Sequence, residues 1–452
     1  MKGKTYHLIS LGCAKNTVDS DSMAQLLDKD GYQHVSAPQH ASVLIVNTCG
    51  FIASAREESL ETLRAIVAAK NPDQLLIAAG CLTQRYGAEV VQQVPGVDGI
   101  LGTRRWMDIV EVIHELREGR YPRPLYHLPD SPTIGTDVSD TIRAARHGAS
   151  AYLKIADGCR RPCAFCAIPL IKGTAVSRSM DAILADAHHL RDLGVRELNL
   201  IAQDTTDYGH DLGMKEGLVM LLQKLTESFP LSGRTERGLN WIRILYAYPG
   251  YVTDRLIEVM ASRHQILPYL DMPLQHAHPD TLKRMSRPAN MDWVHHTIAK
   301  MRSTLPGLAI RTTFIVGYPG ETESEFQTLL DFVAEMRFDR VGAFQFSFEP
   351  GTPSEPLGDP IPPEVKEDRY QRLMLLQQEI SLQINQTFIG RTLDVLIEGC
   401  DKKKKLYIGR SYRDAPEIDG WVFVEGQAEI GQIIPVRITG AMIYDMSGTV
   451  AI

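Results

Sequence analysis

Three short apolar runs that each lead into a cysteine constrain this chain most: LISLGC, LIVNTC and LIAAGC. The runs cover residues 6–11, 42–46 and 75–79, and the cysteines Cys13, Cys49 and Cys81 stand 36 and then 32 residues apart. That interval is about the length of one strand–helix–strand unit. Intervening segments such as SAREESLETLRAIVAAK carry apolar residues at helical spacing with charges between them. Short apolar runs alternating with such helices predict a parallel sheet. Parallel strands share one edge for their C-terminal ends, and open α/β sheets bind ligands there. The three thiols therefore converge, provided the strands are neighbours. The competing reading is three separate buried thiols, because free cysteine is often buried.

The alternation resumes from residue 150 to about 347. Candidate strands are AYLKIA, ELNLIA, WIRILYAY, PYLDMP, LAIRTTFIVG and RVGAFQFS, with helical stretches such as SMDAILADAHHLRDLG and SEFQTLLDFVAEMRF between them. Six strands in alternation predict a partial barrel of parallel strands, with its chemistry at their C-terminal ends. The first of these strands runs directly into CRRPCAFC, which holds Cys159, Cys163 and Cys166. Residues 126–148 are polar and broken by Gly and Pro, and read as a linker. The proline-rich EPGTPSEPLGDPIPP punctuates the chain before a further helix. The last sixty residues hold short runs separated by turn residues: TLDVLIEG, KLYIGRSY, WVFVEG, IPVRIT and AMIYDMSG. They predict a small antiparallel barrel. The expected fold is α/β. An N-terminal open parallel-sheet domain covers 1–125 and a linker 126–148. A central partial (β/α)6 barrel covers 149–375, and a C-terminal antiparallel β-barrel 385–452.

A length of 452 residues suits about three domains, and 44% hydrophobic and 23% charged residues are ordinary for a globular chain. The net charge of −7 gives no global pull toward nucleic acid or an anionic membrane. The start, MKGKTYHLISLGCAKN, lacks the apolar core of a signal peptide, and no run is long enough to span a bilayer. The expected compartment is the cytoplasm, with no membrane partner. A chain of this kind does not need disulfides, so clustered thiols point to metal or redox chemistry. Cys400 stands apart and reads as a plain thiol.

Cys159, Cys163 and Cys166 lie within eight residues, and no fourth cysteine accompanies them. A 4Fe-4S cube is normally held by four thiolates. Three leave one iron open to a small ligand, a position that the amino and carboxylate groups of S-adenosylmethionine can fill. An electron from the cluster then cleaves the sulfonium and releases an adenosyl radical. The cofactors carry that chemistry, and the protein supplies position and exclusion of water. The rival is a Cys3His zinc site completed by His147 or a more distant histidine.

CRRPCAFC resembles the signature of radical S-adenosylmethionine enzymes. With LGCAKNTVDS, NTCGFI and AGCLTQRY, the chain resembles the methylthiotransferases over essentially its whole length. That resemblance implies two 4Fe-4S clusters. Cys159, Cys163 and Cys166 hold the one that cleaves S-adenosylmethionine. Cys13, Cys49 and Cys81 hold an auxiliary one, whose open iron carries the sulfur to be inserted. It also implies a C-terminal barrel of TRAM type and an electron donor of flavodoxin or ferredoxin type. The family's reaction replaces C–H by C–S–CH3, one cofactor molecule giving the methyl group and a second the radical. Further cofactor contacts implied are the backbone at Phe165, Gln203 with Asp204, Arg243 toward the cofactor carboxylate, and Gly317 with Glu321. Arg243 can equally be a half-exposed strand residue, and Glu321 can cap the next helix with Thr322. His276, beside Gln275 in MPLQHAHP, reads as either a substrate contact or a structural histidine.

Within this family one type modifies an adenosine of transfer RNA. The other modifies the β-carbon of an aspartate in the twelfth small-subunit ribosomal protein. LGCAKNTVDS, YLDMPLQHAHP and GRSYRDAPEIDG resemble the second type. From Arg391 onward, four Lys and four Arg face five Asp and four Glu, whereas a module built to grip RNA should be basic. The exception is DKKKKL at 401–406, a solvated turn or an RNA contact. The expected partner is the ribosomal protein, with transfer RNA as the alternative. Two positions depart from the family pattern. Lys172 and Thr174 flank Gly173 where an arginine is expected after the glycine, and Arg104 stands where a glycine is expected.

Overall fold

The computed structural model describes residues 3–128, 140–229, 238–401, 403 and 406–451. The chain divides into two units. One gathers Met1–Ala145, Tyr152–Asp186 and Ser347–Glu355, and the other gathers Arg146–Ala151, Ala187–Phe346 and Pro356–Ile452.

The first unit is built on a six-stranded parallel sheet. Its order is Gln33–His34, Thr5–Ser10, Val43–Thr48, Leu75–Gly80, Gly99–Gly102 and Leu125–His127. The two central strands are buried at every residue, as expected of a parallel sheet covered on both faces. Alternation divides their side chains between two cores. Val43 and Ile45 join Met23, Leu27, Trp106, Val112 and Leu116 on one face. Leu44 and Val46 join Leu60, Leu63, Leu82 and Val90 on the other. The three cysteine-ended strands are consecutive neighbours in this sheet. The sequence reading placed them to within two residues, an ordinary uncertainty at strand ends.

The remainder of this unit includes a short antiparallel pair, Ala156–Asp157 with Val176–Ser177, and the helix Ile168–Lys172. The stretch read as a linker is structured at both ends. Leu125–His127 completes the sheet. Ile142 exchanges hydrogen bonds with Gln25, and Arg143 is buried. Most of its middle, residues 129–139, lies outside the described residues.

In the second unit Glu197–Ile201, Trp241–Ile244, Ile266–Asp271, Ala309–Val316 and Arg340–Gln345 are parallel neighbours in chain order. Ser150–Lys154 and Ala144–His147 are two further strands, so all six expected strands are present and Ala144–His147 is additional. Thr253, Asn290 and Thr322 cap the helices that follow them with side-chain oxygens. Thr322 forms its capping box with Glu325 rather than with Glu321.

After the helix Pro363–Gln386 comes a closed five-stranded barrel: Thr392–Asp401, Leu406–Ser411, Val422–Glu425, Met446–Val450 and Ile433–Ala441. It is antiparallel except where Val422–Glu425 pairs parallel with Met446–Val450. Most of the stretch GRSYRDAPEIDG is buried, with Glu417 and Ile418 exposed. Arg410 donates to Glu197 Oε2 (2.6 Å), Arg413 to Asp339 Oδ1 (2.7 Å), and Tyr269 to Asp419 Oδ2 (2.7 Å). Arg340 donates to Asp414 Oδ1 (2.6 Å). This turn therefore fastens the small barrel to the sheet. Three of the four lysines in DKKKKL lie outside the described residues.

Candidate functional site

All six paired-set cysteines fall within the first unit. Cys13 precedes the helix Ala14–Lys29 as its N-cap, and its carbonyl accepts from the amides of Asn16 (2.8 Å) and Thr17 (3.1 Å). Gly12 takes φ +93°, and a Cβ there would lie 2.9 Å from Cys49 Cβ and 3.0 Å from Cys49 Sγ. Only glycine lets the Cys13 turn pass this close over Cys49. Asn16 Nδ2 donates to the carbonyls of Leu11 (2.7 Å) and Thr48 (3.2 Å), and Asn16 Oδ1 lies 3.9 Å from Cys81 Sγ. One side chain thus ties the ends of the three strands together. Ser59 Oγ accepts from the Cys49 amide (3.0 Å). Cys81 opens the helix Cys81–Gln93.

Cys13 is exposed, while Cys49 and Cys81 are half-buried. Burial pushes the Cys81 thiol up to about 12; Cys13 and Cys49 add to the rise, and Lys172 opposes it. Burial also raises Cys49, with a further contribution from Cys13. Burial thus disfavours the thiolate forms of Cys49 and Cys81, and a bound metal supplies the positive charge that favours them. The donor set therefore fits an iron–sulfur cluster.

In the second set, the Cys159 amide donates to Gly173 O (3.0 Å), and the Cys166 amide to Cys163 O (3.1 Å). The Arg161 amide donates to Cys159 Sγ (3.4 Å). A backbone N–H on sulfur is a feature that tunes thiolate-held clusters, so this loop also fits one. Phe165 is half-buried in the loop. Its neighbour Ala164 accepts from the Ser354 amide (2.9 Å), and Arg85 holds the same segment through Glu349 (2.6 Å) and Pro350 O (2.6 Å). Arg104, the departure in LGTRRW, donates to the carbonyls of Ile171 (2.9 Å) and Leu170 (3.0 Å). It fastens the helix that follows the cysteine loop.

The other sequence candidates belong to the second unit. Gln203 is half-buried just past the strand Glu197–Ile201, and Asp204 caps the following turn by accepting from Thr206 N (2.9 Å). Arg243 lies on the strand Trp241–Ile244. It has no exposure, donates to Glu197 Oε1 (2.9 and 3.0 Å) and to Tyr412 O (2.7 Å), and lies over the Tyr269 ring. Its guanidinium is engaged inside the protein by these partners. Glu197 is held down to about 2: burial opposes this, and Arg410 and Arg243 outweigh it.

Gly317 takes φ +72°, and a Cβ there would run into Lys366. Its amide donates to Glu321 Oε2 (2.5 Å). Glu321 also accepts from Arg369 Nη1 (2.7 Å) and from His276 Nε2 (2.9 Å). His276 Nδ1 accepts from the His278 amide (2.9 Å), which leaves Nε2 as the donor. His276 is therefore structural. It shapes the loop around Gln275, itself at φ +77°.

Sequence reasoning missed Asp19, Lys154 and Asp157, which are buried charges of the first unit. The available signal was the presence of Lys154 and Asp157 in an otherwise apolar strand run leading to Cys159.

Comparison with known proteins extends this geometry. Residues 5–102 match Uncharacterized protein family UPF0004, residues 153–333 the Radical SAM superfamily, and residues 389–451 the TRAM domain. A relative from Chloroflexus aurantiacus named Ribosomal protein uS12 methylthiotransferase RimO is 49% identical, covering 98% of this chain and 99% of its own. One of the same name from Roseiflexus sp. is 46% identical, covering 98% and 96%. Among solved structures, the radical S-adenosylmethionine methyltransferase TsrM from Kitasatospora setae, with cobalamin and a 4Fe-4S cluster bound, superposes with a TM-score of 0.56. It is 12% identical and covers 87% of this chain and 77% of its own, a likeness of fold alone.

Proposed function

Because the chain belongs to the ribosomal protein uS12 methylthiotransferase family, we infer that it places a methylthio group on that ribosomal protein, at the β-carbon of an aspartate. Its cofactors are S-adenosylmethionine and two 4Fe-4S clusters, which together supply the adenosyl radical, the methyl group and the sulfur. Cys159, Cys163 and Cys166 would hold the cluster that cleaves S-adenosylmethionine. Cys13, Cys49 and Cys81 would hold the other. The observation that carries this reading is the arrangement of six thiols in one unit. One trio stands at the ends of three neighbouring parallel strands, and the other fills a loop fixed by backbone hydrogen bonds to Gly173 and Ser354.

In this reading the chain's own groups position rather than exchange protons. Asn16 and Gly12 set the spacing of the N-terminal thiols. Arg161 N–H steadies Cys159. Phe165, Gln203 and Gly317 are the contacts proposed for the cofactor, the Gly317 loop being locked by Glu321. Holding reactants in fixed geometry is a large source of rate in reactions of this type. The compartment proposed is the cytoplasm, where a ribosomal substrate is met, and the electron donor proposed is of flavodoxin or ferredoxin type. No described helix is long and apolar enough to cross a membrane. The boundaries proposed for the functional parts are 1–125, 149–375 and 385–452, joined across 126–148.

A paired substrate assay tests the assignment. The protein is reconstituted without oxygen and given reductant, sulfide and S-adenosylmethionine. One sample receives purified uS12 and the other bulk transfer RNA. Mass spectrometry should find an added methylthio group on uS12 alone. Modification of the transfer RNA alone would overturn the substrate.

A further inference from the structure

Both cysteine trios belong to the first unit, and two sets of contacts there join the segments that carry them. The first is a buried square of charges. Asp19 lies on the helix that Cys13 caps. Lys154 and Asp157 come five and two residues before Cys159, and Lys172 six after Cys166. Asp19 Oδ1 accepts from Lys154 Nζ (2.5 Å), and Asp19 Oδ2 from Lys172 Nζ (3.0 Å). Asp157 Oδ2 accepts from the same two ammonium groups, at 3.1 and 3.2 Å. None of the four residues is more than 4% exposed.

The second set centres on Arg85, which follows Cys81 by four residues on the helix Cys81–Gln93. The Arg85 and Glu349 side chains are both buried. Arg85 Nη1 donates to Glu349 Oε2 (2.6 Å) and to the carbonyl of Gly50 (3.4 Å), the residue after Cys49; Arg85 Nη2 donates to Pro350 O (2.6 Å). Ser347 Oγ donates to Glu349 Oε1 (3.0 Å) and accepts from the Ala53 amide (3.4 Å). Four residues past Pro350, the Ser354 amide donates to the carbonyl of Ala164 (2.9 Å), between Cys163 and Cys166. The segment Ser347–Glu355 therefore runs from the surroundings of Cys49 and Cys81 to the loop of the second trio.

Buried ion pairs are a weak source of net stability, because desolvation offsets much of the attraction, yet removing one partner is costly, so they hold a single arrangement. Two such links between the same two thiol sites serve position. We propose that Asp19 and Arg85 are positioning residues that hold the site of Cys13, Cys49 and Cys81 at a fixed separation from the site of Cys159, Cys163 and Cys166. The inference rests on the reading that the two trios hold two clusters. In that reading, removal of hydrogen from the substrate depends on one site and insertion of sulfur on the other. A displacement of about 1 Å between reacting groups can cost on the order of 100-fold in rate. Loss of either link therefore acts on the transfer of sulfur and spares the cleavage of S-adenosylmethionine.

The test uses D19N and R85M in the full-length chain. Hydrogen exchange is first followed by mass spectrometry in the iron-free protein. D19N should speed exchange in residues 14–19 and 159–172 together, and R85M in residues 50–53, 163–166 and 347–355 together. A rise confined to the mutated segment in both variants would overturn the proposal. The proteins are then reconstituted, iron and sulfide are counted, and deoxyadenosine and methylthiolated uS12 are measured in the same samples. Both variants should keep the parent's iron and its yield of deoxyadenosine, while methylthiolated uS12 per deoxyadenosine falls by about tenfold or more. A variant that loads and keeps the parent's ratio removes its residue from the proposal, and the parent's ratio in both overturns it. If one variant loses iron, the ratio in the other decides: a fall supports the proposal, and no change defeats it. Loss of iron in both would make the two links purely structural and also defeat it. A parent that fails to load both sites, or loads them and makes no methylthiolated protein, would instead overturn the reading of the function.

Discussion

Gly12 shows how far a single residue can control the thiol site. Its positive φ costs an L-residue about 1–2 kcal/mol, and the hypothetical Cβ meets Cys49 at 2.9–3.0 Å. G12A should therefore displace Cys49 and strip iron from the N-terminal site, while cleavage of S-adenosylmethionine persists. Iron analysis checks this, and a full iron complement in G12A would contradict it. Arg243 illustrates the opposite lesson. In sequence, an arginine near the end of a barrel strand is equally consistent with a cofactor contact and with a half-exposed residue, and neither reading shows the buried ion pair it makes. That pairing depends on Glu197, 46 residues away, and on Tyr412, 169 away. No local pattern carries that information. The same is true of Lys172, whose partner Asp19 is 153 residues distant.

At the scale of elements, the convergence of Cys13, Cys49 and Cys81 was legible because it depends on local quantities. Strand periodicity, one strand–helix interval and the shared polarity of parallel strands suffice. The registry of loops was less legible. The loops that follow Ile266–Asp271 and Ala309–Val316 are held by Glu321, which contacts His276, the Gly317 amide and Arg369 of the long helix at once. In sequence Glu321 looks like a helix cap, because it stands beside the Thr322 that does the capping. E321Q should leave the buried Arg369 only its longer pair with Glu323 (3.6 Å), a loss of stability of up to about 3 kcal/mol. Gly317 is a proposed cofactor contact, so the dissociation constant for S-adenosylmethionine should also rise about tenfold, equivalent to about 1.4 kcal/mol. Thermal unfolding and equilibrium binding read the two effects separately. A folded E321Q that binds the cofactor as tightly as the parent would remove Gly317 from the site.

For the whole molecule, the turn GRSYRDAPEIDG takes on a different meaning from the one it has in sequence. It resembles the ribosomal-protein type, yet Arg410, Arg413 and Asp414 are spent on Glu197, Asp339 and Arg340 in joining the small barrel to the sheet. Glu197 links this joint to pH. Its folded value is about 2 against an ordinary 4.5. A depressed carboxylate contributes stability that is present above its unfolded value and lost as pH falls through the folded one. In the iron-free chain, the urea midpoint should therefore fall between about pH 4.5 and pH 2. E197Q should show a flatter profile over that range and lower stability at pH 7, by about 3–5 kcal/mol, because Arg243 and Arg410 lose their shared partner. An E197Q variant as stable as the parent at pH 7 would contradict this account of the joint.

The division of labour between the two cysteine trios is the central claim, and product analysis of two variants tests it most directly. C163A and C49A are each reconstituted without oxygen and given reductant, sulfide, S-adenosylmethionine and uS12. Deoxyadenosine and methylthiolated protein are then quantified in the same samples. C163A should yield neither product, and C49A should yield deoxyadenosine without methylthiolated protein. Methylthiolated uS12 from C49A, or deoxyadenosine from C163A at the parent's level, would contradict the roles assigned here.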